Sequence, residues 1–437
     1  MPSIEPMSVP PQTAVRADVN ERTRSRLRRV LALRKVRLSL LGLVLLGALL
    51  GAAGWWLPNA LLKRAKDHVR HARRPEATRV LRWYVLLRPG DSEARLNLAN
   101  LLVRGGNANA AVRQLEYISD ADSHAPSARL QAAEILYLRL RRPGQAERQL
   151  RRILEIDSTN VDAKFGLFQI LFTQDRRRPE LWQWLDEAFL SGDFGAQLRA
   201  LSMRFWLMYA EFPIQDSFPI LDRAVAQDPG DVGSKIGLAA CHFRMNQPET
   251  AIALLRDCVG KGPDDSDART KLVEHFLETG DIAKAGTYLE GWDGADNDVE
   301  YWTLKGRYLQ ATWKFHEAID CFERALALRP DRWTTRSQLS RCLDEIGLRD
   351  RAAAERRESD RMGKELLDTR VRALLTEVIP EFRRYPEGAH KLADLLEAVG
   401  HKKDAQRWRE LAVVMTTGGI RLGGSDEEQS LKEAEND

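Results

Sequence analysis

Alanines recur along this sequence at a spacing of 34 residues, and that period limits the fold more than any other feature. Ala77, Ala111, Ala146, Ala251, Ala285, Ala318 and Ala352 each stand three to seven residues after a turn signal, near the start of an amphipathic segment. Successive intervals are 34, 35, 105, 34, 33 and 34 residues, and 105 is three times 35. Prolines that close units, Pro89, Pro229, Pro263 and Pro330, lie 140, 34 and 67 residues apart, again close to multiples of 34. The excess of four in the first of these intervals implies a small insertion within 173–195. A period of this length describes an array of supersecondary units, none able to bury its apolar face alone. Such an array also explains how 437 residues can fold without one large core.

Within each period the pattern is helix, short turn, helix. In 92–103, Leu96, Leu98, Ala99, Leu101 and Leu102 form one apolar face. Gly105 and Gly106 end that helix, Asn107 or Asn109 can cap the next, and Ala111, Leu115 and Ile118 then recur at helical spacing. Ala, Leu, Arg and Glu dominate, all favouring helix. Alternating β-branched runs with hairpin turns are absent, so the expected class is all-α.

The stretch 299–332 resembles the tetratricopeptide repeat family. Trp302, Gly306, Ala318, Phe322, Ala325 and Pro330 stand at repeat positions 4, 8, 20, 24, 27 and 32, where that family has its signature residues. Small residues at 8 and 20 let the paired helices cross closely. Large ones at 4 and 24 fill the space between repeats, and proline ends the unit. Lys305 and Leu309 depart from the pattern, with Leu304 and Tyr308 each one residue early. Weaker matches are Leu238, Ala239, Ala251, Leu255 and Pro263 in 232–265, and Leu272, Gly280, Ala285 and Leu289 in 266–298. The resemblance implies a right-handed superhelical solenoid of about ten helix pairs over 58–418, with a concave groove lined by the first helix of each pair. The family's groove positions here include Asn97, Asn100, Glu274, Arg307 and Arg341. Asn can hydrogen-bond a peptide backbone and Arg can take carboxylates bidentately. An ordinary solvated helix face is the competing reading for all five.

Two stretches break the rhythm. Residues 161–227 match the repeat poorly and carry a heavier aromatic core of Trp182, Trp184, Phe205 and Trp206. From Ala352 to Ala405 there are 53 residues, 19 more than one period, and the excess falls in 351–379. Met362, Leu366, Val371, Leu374 and Val378 predict a long inserted helix there, either projecting as a docking element or folding back as a cap.

Ahead of the repeats, residues 38–57 are uncharged and apolar. Twenty residues at a 1.5 Å rise make about 30 Å of helix, the thickness of a bilayer's hydrocarbon core. Trp55 and Trp56 mark its distal end and Pro58 stops it. A single transmembrane helix is the expectation; a cleaved signal peptide is the rival, although its apolar core is normally shorter and nearer the N-terminus. Eight Arg or Lys in the twenty residues before the helix, against six in the twenty or so after it, favour a cytoplasmic N-terminus. The solenoid would then lie outside the cytoplasm, on a single-pass protein of the inner or cytoplasmic membrane. Gly47 and Gly51 have the spacing that brings two membrane helices close, a route to a homodimer; the favoured alternative is plain small-residue content in a Gly/Ala-rich span.

Residues 1–37 carry nine basic and three acidic residues, and 419–437 end in an acidic run. Neither has apolar periodicity, so both read as mostly disordered tails. Overall, 67 basic residues nearly balance 63 acidic ones, which argues against a nucleic-acid binder. Cys241, Cys258, Cys321 and Cys342 form no metal-ligand spacing and read as buried thiols, with two disulfides as the alternative. His68 and His71 could share a helix face, but they sit in a basic segment suited to solvent or lipid headgroups. No phosphate-binding loop, dinucleotide motif, nucleophile elbow or zinc-protease motif is present. The expected protein is therefore not an enzyme and has no cofactor or metal. It would be a membrane-anchored interaction scaffold or assembly factor of an envelope complex, by analogy with anchored members of the repeat family in secretion, polysaccharide export, pilus assembly or cytochrome maturation. The alternative is a permanent structural subunit of a larger membrane-associated complex. Its partners would be other proteins, and the membrane through residues 38–57.

Overall fold

The computed structural model describes residues 56–176, 179–190, 194–210, 212–260, 265–290, 292, 298–366, 371, 374 and 387–417. The expected tails 1–37 and 419–437, the apolar span apart from Trp56 and Leu57, and the Gly47–Gly51 pair lie outside the described residues. Among the described residues there is no strand, and no helix is long and apolar enough to cross a membrane.

The helices are α1 (56–70), α2 (Arg74–Leu87), α3 (Ser92–Arg104), α4 (Ala108–Glu116), α5 (Ala125–Glu134), α6 (Pro143–Ile156), α7 (Val161–Thr173), α8 (Pro179–Leu190), α9 (Phe194–Tyr209) and α10 (Ile214–Gln227). They continue as α11 (Val232–Arg244), α12 (Pro248–Arg256), α13 (Asp265–Glu278), α14 (Ile282–Leu289), α15 (Val299–Ala311), α16 (Phe315–Leu328), α17 (Trp333–Glu345), α18 (Arg349–Glu365), α19 (Glu387–Ala398) and α20 (Lys402–Thr417). The fold is an all-helical, tetratricopeptide-like solenoid. It divides into two compact units, residues 1–114 and 115–437.

The backbone makes the period visible. Among the described residues, nine helix pairs turn through one residue of positive φ: Ala72, Gly106, Arg141, Asp175, Asn246, Gly280, Trp313, Gly347 and Gly400, with φ between 51° and 95°. Successive turns are 34, 35, 34, 71, 34, 33, 34 and 53 residues apart. A left-handed residue at the helix end closes the last carbonyls and reverses the chain. Several first helices open on a short polar cap: the side chains of Asp91, Asn160, Asp231 and Asp298 accept from the amides of Ala94, Ala163, Ser234 and Tyr301. All seven phase-setting alanines are fully buried. At Gly306 an added Cβ would stand 2.6 Å from the Phe322 ring, which is why the helices of that pair need a glycine at their crossing.

In the first unit, Ala77, Leu81 and Tyr84 of α2 and Leu98, Ala99 and Leu102 of α3 are buried, and the two helices pack on each other. The Tyr84 hydroxyl donates to Asp91 at 2.6 Å; burial and that carboxylate push the phenol up to about 12.

In the second unit the interval of 71 residues marks a detour. Helix α6 packs on α7, but also on α10 and α11. Its Gly144 amide donates to Asp231 at 3.0 Å, a contact with no room for a side chain at position 144. Between those elements α8 pairs with α9 around Phe165, Phe168, Leu181, Leu185 and Leu207. The base of the detour is held by Arg176, 2% exposed, which donates to Glu147 at 2.7 Å and to Gln174 at 2.6 Å. Burial alone would raise the Glu147 carboxyl, but Arg176 and Arg151 hold it below its usual range.

The C-terminal pair returns to this detour. Helix α20 packs on α9, and Leu201, Phe205, Leu392, Leu396, Trp408 and Leu411 share one core. The expected long helix in 351–379 stops earlier: α18 ends at Glu365 and the chain turns at Leu366. Ser359 donates to the Trp333 carbonyl at 2.8 Å, and Val371 and Leu374 are buried in the α9–α19–α20 core; Val378 lies outside the described residues. The four cysteines are buried free thiols. Burial raises Cys321 and pushes Cys241 and Cys342 up to about 11.

Candidate partner-binding site

The return of α19 and α20 onto α9 borders a half-open space within the second unit. A cavity of about 860 Å³ lies between the detour helices α8 and α9 and the regular helices α15 to α17, with Leu366, Val371 and His401 on its edge.

One wall is aromatic. Trp182 of α8 is flanked by two guanidiniums, Arg204 at 5.1 Å and Arg329 at 5.2 Å from its ring centre. Such contacts are favourable because the ring face is electron-rich. Trp333, 41% exposed at the start of α17, and Tyr209 at the end of α9 complete the aromatic lining. Burial raises the Tyr209 hydroxyl well above its ordinary value, and the neighbouring Asp331 adds to this.

The floor is a set of ion pairs, some buried and some part-exposed. Arg329 grips Asp331 through two bonds of 2.7 and 2.6 Å, and the His401 ring lies 2.9 Å from the same carboxylate. Burial alone would raise Asp331, but Arg329 and then His401 hold it far below the carboxylate range. Arg332 bonds Glu300 at 2.5 Å. On the other side, Arg204 reaches Asp404 at 2.9 Å and Asp186 at 3.1 Å, and Arg407 also bonds Asp186, at 2.5 Å. Bidentate, charge-assisted bonds of this kind fix side-chain positions. Lining the cavity are five carboxylates (Glu180, Asp186, Asp298, Glu300, Asp331) and three guanidiniums (Arg204, Arg329, Arg332). The cavity therefore offers flat aromatic surface bordered by rigid acidic and basic groups. That suits an extended segment carrying both apolar and charged side chains better than any bond-making chemistry. Among the described residues no cluster of His, Cys, Asp and Glu could hold a metal.

None of the five groove residues expected from the sequence lines this cavity. Asn97 and Asn100 are exposed on α3, in the first unit. Glu274, Arg307 and Arg341 lie on α13, α15 and α17, the first helices of successive pairs. Glu274 is open to solvent yet set among crowding side chains. That desolvation raises its carboxyl, with Glu300 and Glu278 adding and Lys271 and Arg307 opposing. The cavity residues were missed because they come from distant stretches. The available signals were Trp182 in the poorly matching stretch and the 19-residue excess, which supplies Leu366 and Val371.

Family models described as tetratricopeptide repeat match residues 62–126, 96–161, 246–308 and 299–332. No curated protein is significantly similar to the chain. Among solved structures, it is similar to a tetratricopeptide repeat protein from Parabacteroides merdae (14% identity, 65% of this chain and 98% of that one, TM-score 0.32). It is also similar to MamA of AMB-1 (18%, 35% and 90%, TM-score 0.30) and to the human IFIT1 dimer with m7Gppp-AAAA (14%, 81% and 89%, TM-score 0.34). Repeats of this kind act as protein–protein interaction scaffolds, and residues 62–161 and 246–332 of this chain are tetratricopeptide repeats.

Proposed function

We propose that the protein is a membrane-anchored scaffold or assembly factor of an envelope complex, and that it holds a partner protein's extended segment in the cavity between α8–α9 and α15–α17. The aromatic and ion-paired lining carries this reading. A protein occupant is favoured over nucleic acid because carboxylates outnumber guanidiniums in the lining, five to three. The anchor is the apolar run 38–57, with the N-terminus cytoplasmic and the repeats on the far side. Gly47 and Gly51 would let two such anchors pair.

Co-purification with the detergent-extracted full chain tests the site. Combined Trp182→Ala and Arg332→Glu substitutions should release a partner that is retained when Asn97, Asn100, Arg307 and Arg341 are replaced. The opposite pattern would move the site to the groove and sink the cavity reading. Reporter fusions after residue 80 test the orientation: activity of a cytoplasmic reporter there would reverse it.

A further inference from the structure

The first helix pair carries an apolar patch where a terminal repeat should be polar. Terminal units of a solenoid need a solvated outer face, because no neighbour covers it. Here Trp83 is 61% exposed and Leu86 70%, on the same face of α2 as the exposed Arg79 and Arg82. Helices α1 and α2 form a hairpin through Ala72, so the start of α1 lies at the same end as the close of α2. Trp56, 64% exposed at the start of α1, therefore stands at the end of the hairpin where Leu86 closes α2.

Charge identifies what covers this end. Residues 59–88 hold nine Arg or Lys against two acids (Asp67 and Glu76), and all nine basic side chains are exposed. Tryptophan beside leucine, bordered by arginine, is the composition that settles at the boundary between acyl chains and anionic headgroups. Trp56 also lies within the last two residues of the apolar run 38–57, so a membrane containing that run would meet this end of the hairpin first. We infer that the α1–α2 hairpin docks on an anionic lipid surface, with Trp56, Trp83 and Leu86 in the interface and Arg79 and Arg82 among the headgroups. The inference deepens the anchored-scaffold reading and rests on it only for the neighbouring span. It adds that the first repeat is fixed against the bilayer rather than swinging on a tether.

The test is a nitroxide on Leu86→Cys in the full-length chain, reconstituted into nanodiscs of phosphatidylcholine alone or with phosphatidylglycerol. The native thiols are buried, so labelling is selective. In anionic discs the label should lose severalfold its collisions with a water-soluble nickel chelate, relative to the same label on the exposed Leu190→Cys. Arg79→Glu with Arg82→Glu should restore them, each lost charge weakening lipid attraction about fivefold. Both substitutions are on the surface, and an unchanged circular dichroism spectrum confirms the fold. If the chain elutes with both kinds of disc while the label stays as wet as the Leu190 control, the docking inference falls and the anchor stands. Elution with anionic discs only, with the label protected, supports docking and removes the anchor. No elution with either disc overturns both. Protection that appears only when an acidic protein is added makes the patch a protein interface, and overturns lipid docking.

Discussion

Residues 299–365 and residues 161–209 are both runs of helices of ordinary length, yet they are held together in different ways. In the first, each helix is secured by its neighbours in sequence: α15 on α16, α16 on α17, α17 on α18. Phe322, Ala318, Ala325 and Gly306 make that contact close, and stability is a sum of local interfaces. In the second, α9 packs on its neighbour α8 but also on the distant α20, and Arg204 bonds an aspartate 200 residues away. Local stacking builds a rod that can be lengthened by any number of units. A long-range return builds a recess, and in this protein the half-open cavity lies beside it.

The comparison breaks most readily at the return. Asp404→Ala removes the buried carboxylate that Arg204 and Arg407 share and leaves them only the part-exposed Asp186, which costs about 3–5 kcal/mol. Loss of amide-exchange protection should be confined to α9, α19 and α20. If α15–α18 lose protection equally, the two regions are one cooperative unit. Phe322→Ala tests the other side: removing a fully buried ring costs about 3–5 kcal/mol, read as a lower urea midpoint. Exchange should rise in α15–α18 and remain slow in α9 and α20.

Acid should loosen the recess through Asp331. Its native carboxyl titrates below the unfolded value of about 4, so the ionised form is stabilised by folding. That contribution is present above about pH 4 and is lost as pH falls further. Asp331→Asn should therefore lower the melting temperature at pH 7, and the gap to the native chain should narrow as the pH is taken below 4.

Smaller effects sharpen the account of the regular stack. Gly306→Ala places a methyl against Phe322 and should cost about 1–3 kcal/mol, again read from the urea midpoint. Trp313→Gly should act oppositely. Trp313 turns α15 into α16 at φ 63°, a conformation costly for a side chain that is 77% exposed and buries little in return. Relief of about 1 kcal/mol is expected, as a higher midpoint. An unchanged or lower midpoint would mean that the contact with Phe315, 5.8 Å between ring centres, outweighs the backbone strain.

How far the sequence reaches can be judged on particular residues. The 34-residue phase of the alanines returns as the 34-residue phase of the left-handed turns, and the 53-residue interval from Ala352 to Ala405 returns as the 53 residues from Gly347 to Gly400. Both follow from local chemistry: a small residue where helices cross, a polar cap and a turn residue at each end. Such requirements are met within one or two units, so a single sequence displays them. Lys305, out of pattern on paper, lies over Tyr301 and Trp302 at 5.2 and 5.3 Å, while Leu304 takes the buried place beside it.

The recess was not legible in this way. Trp182, Arg329 and His401 share no period, and no spacing rule relates them. The irregular stretches indicated where the repeat fails but not that the two failures would meet. Sequence alone therefore determined the class of fold, the phase of its units, the residues at their crossings and an apolar run before the first repeat. Tertiary structure alone decided that α20 returns to α9 and that a cavity opens between α8–α9 and α15–α17, because pairing between residues two hundred positions apart depends on the accumulated geometry of every helix crossing in between.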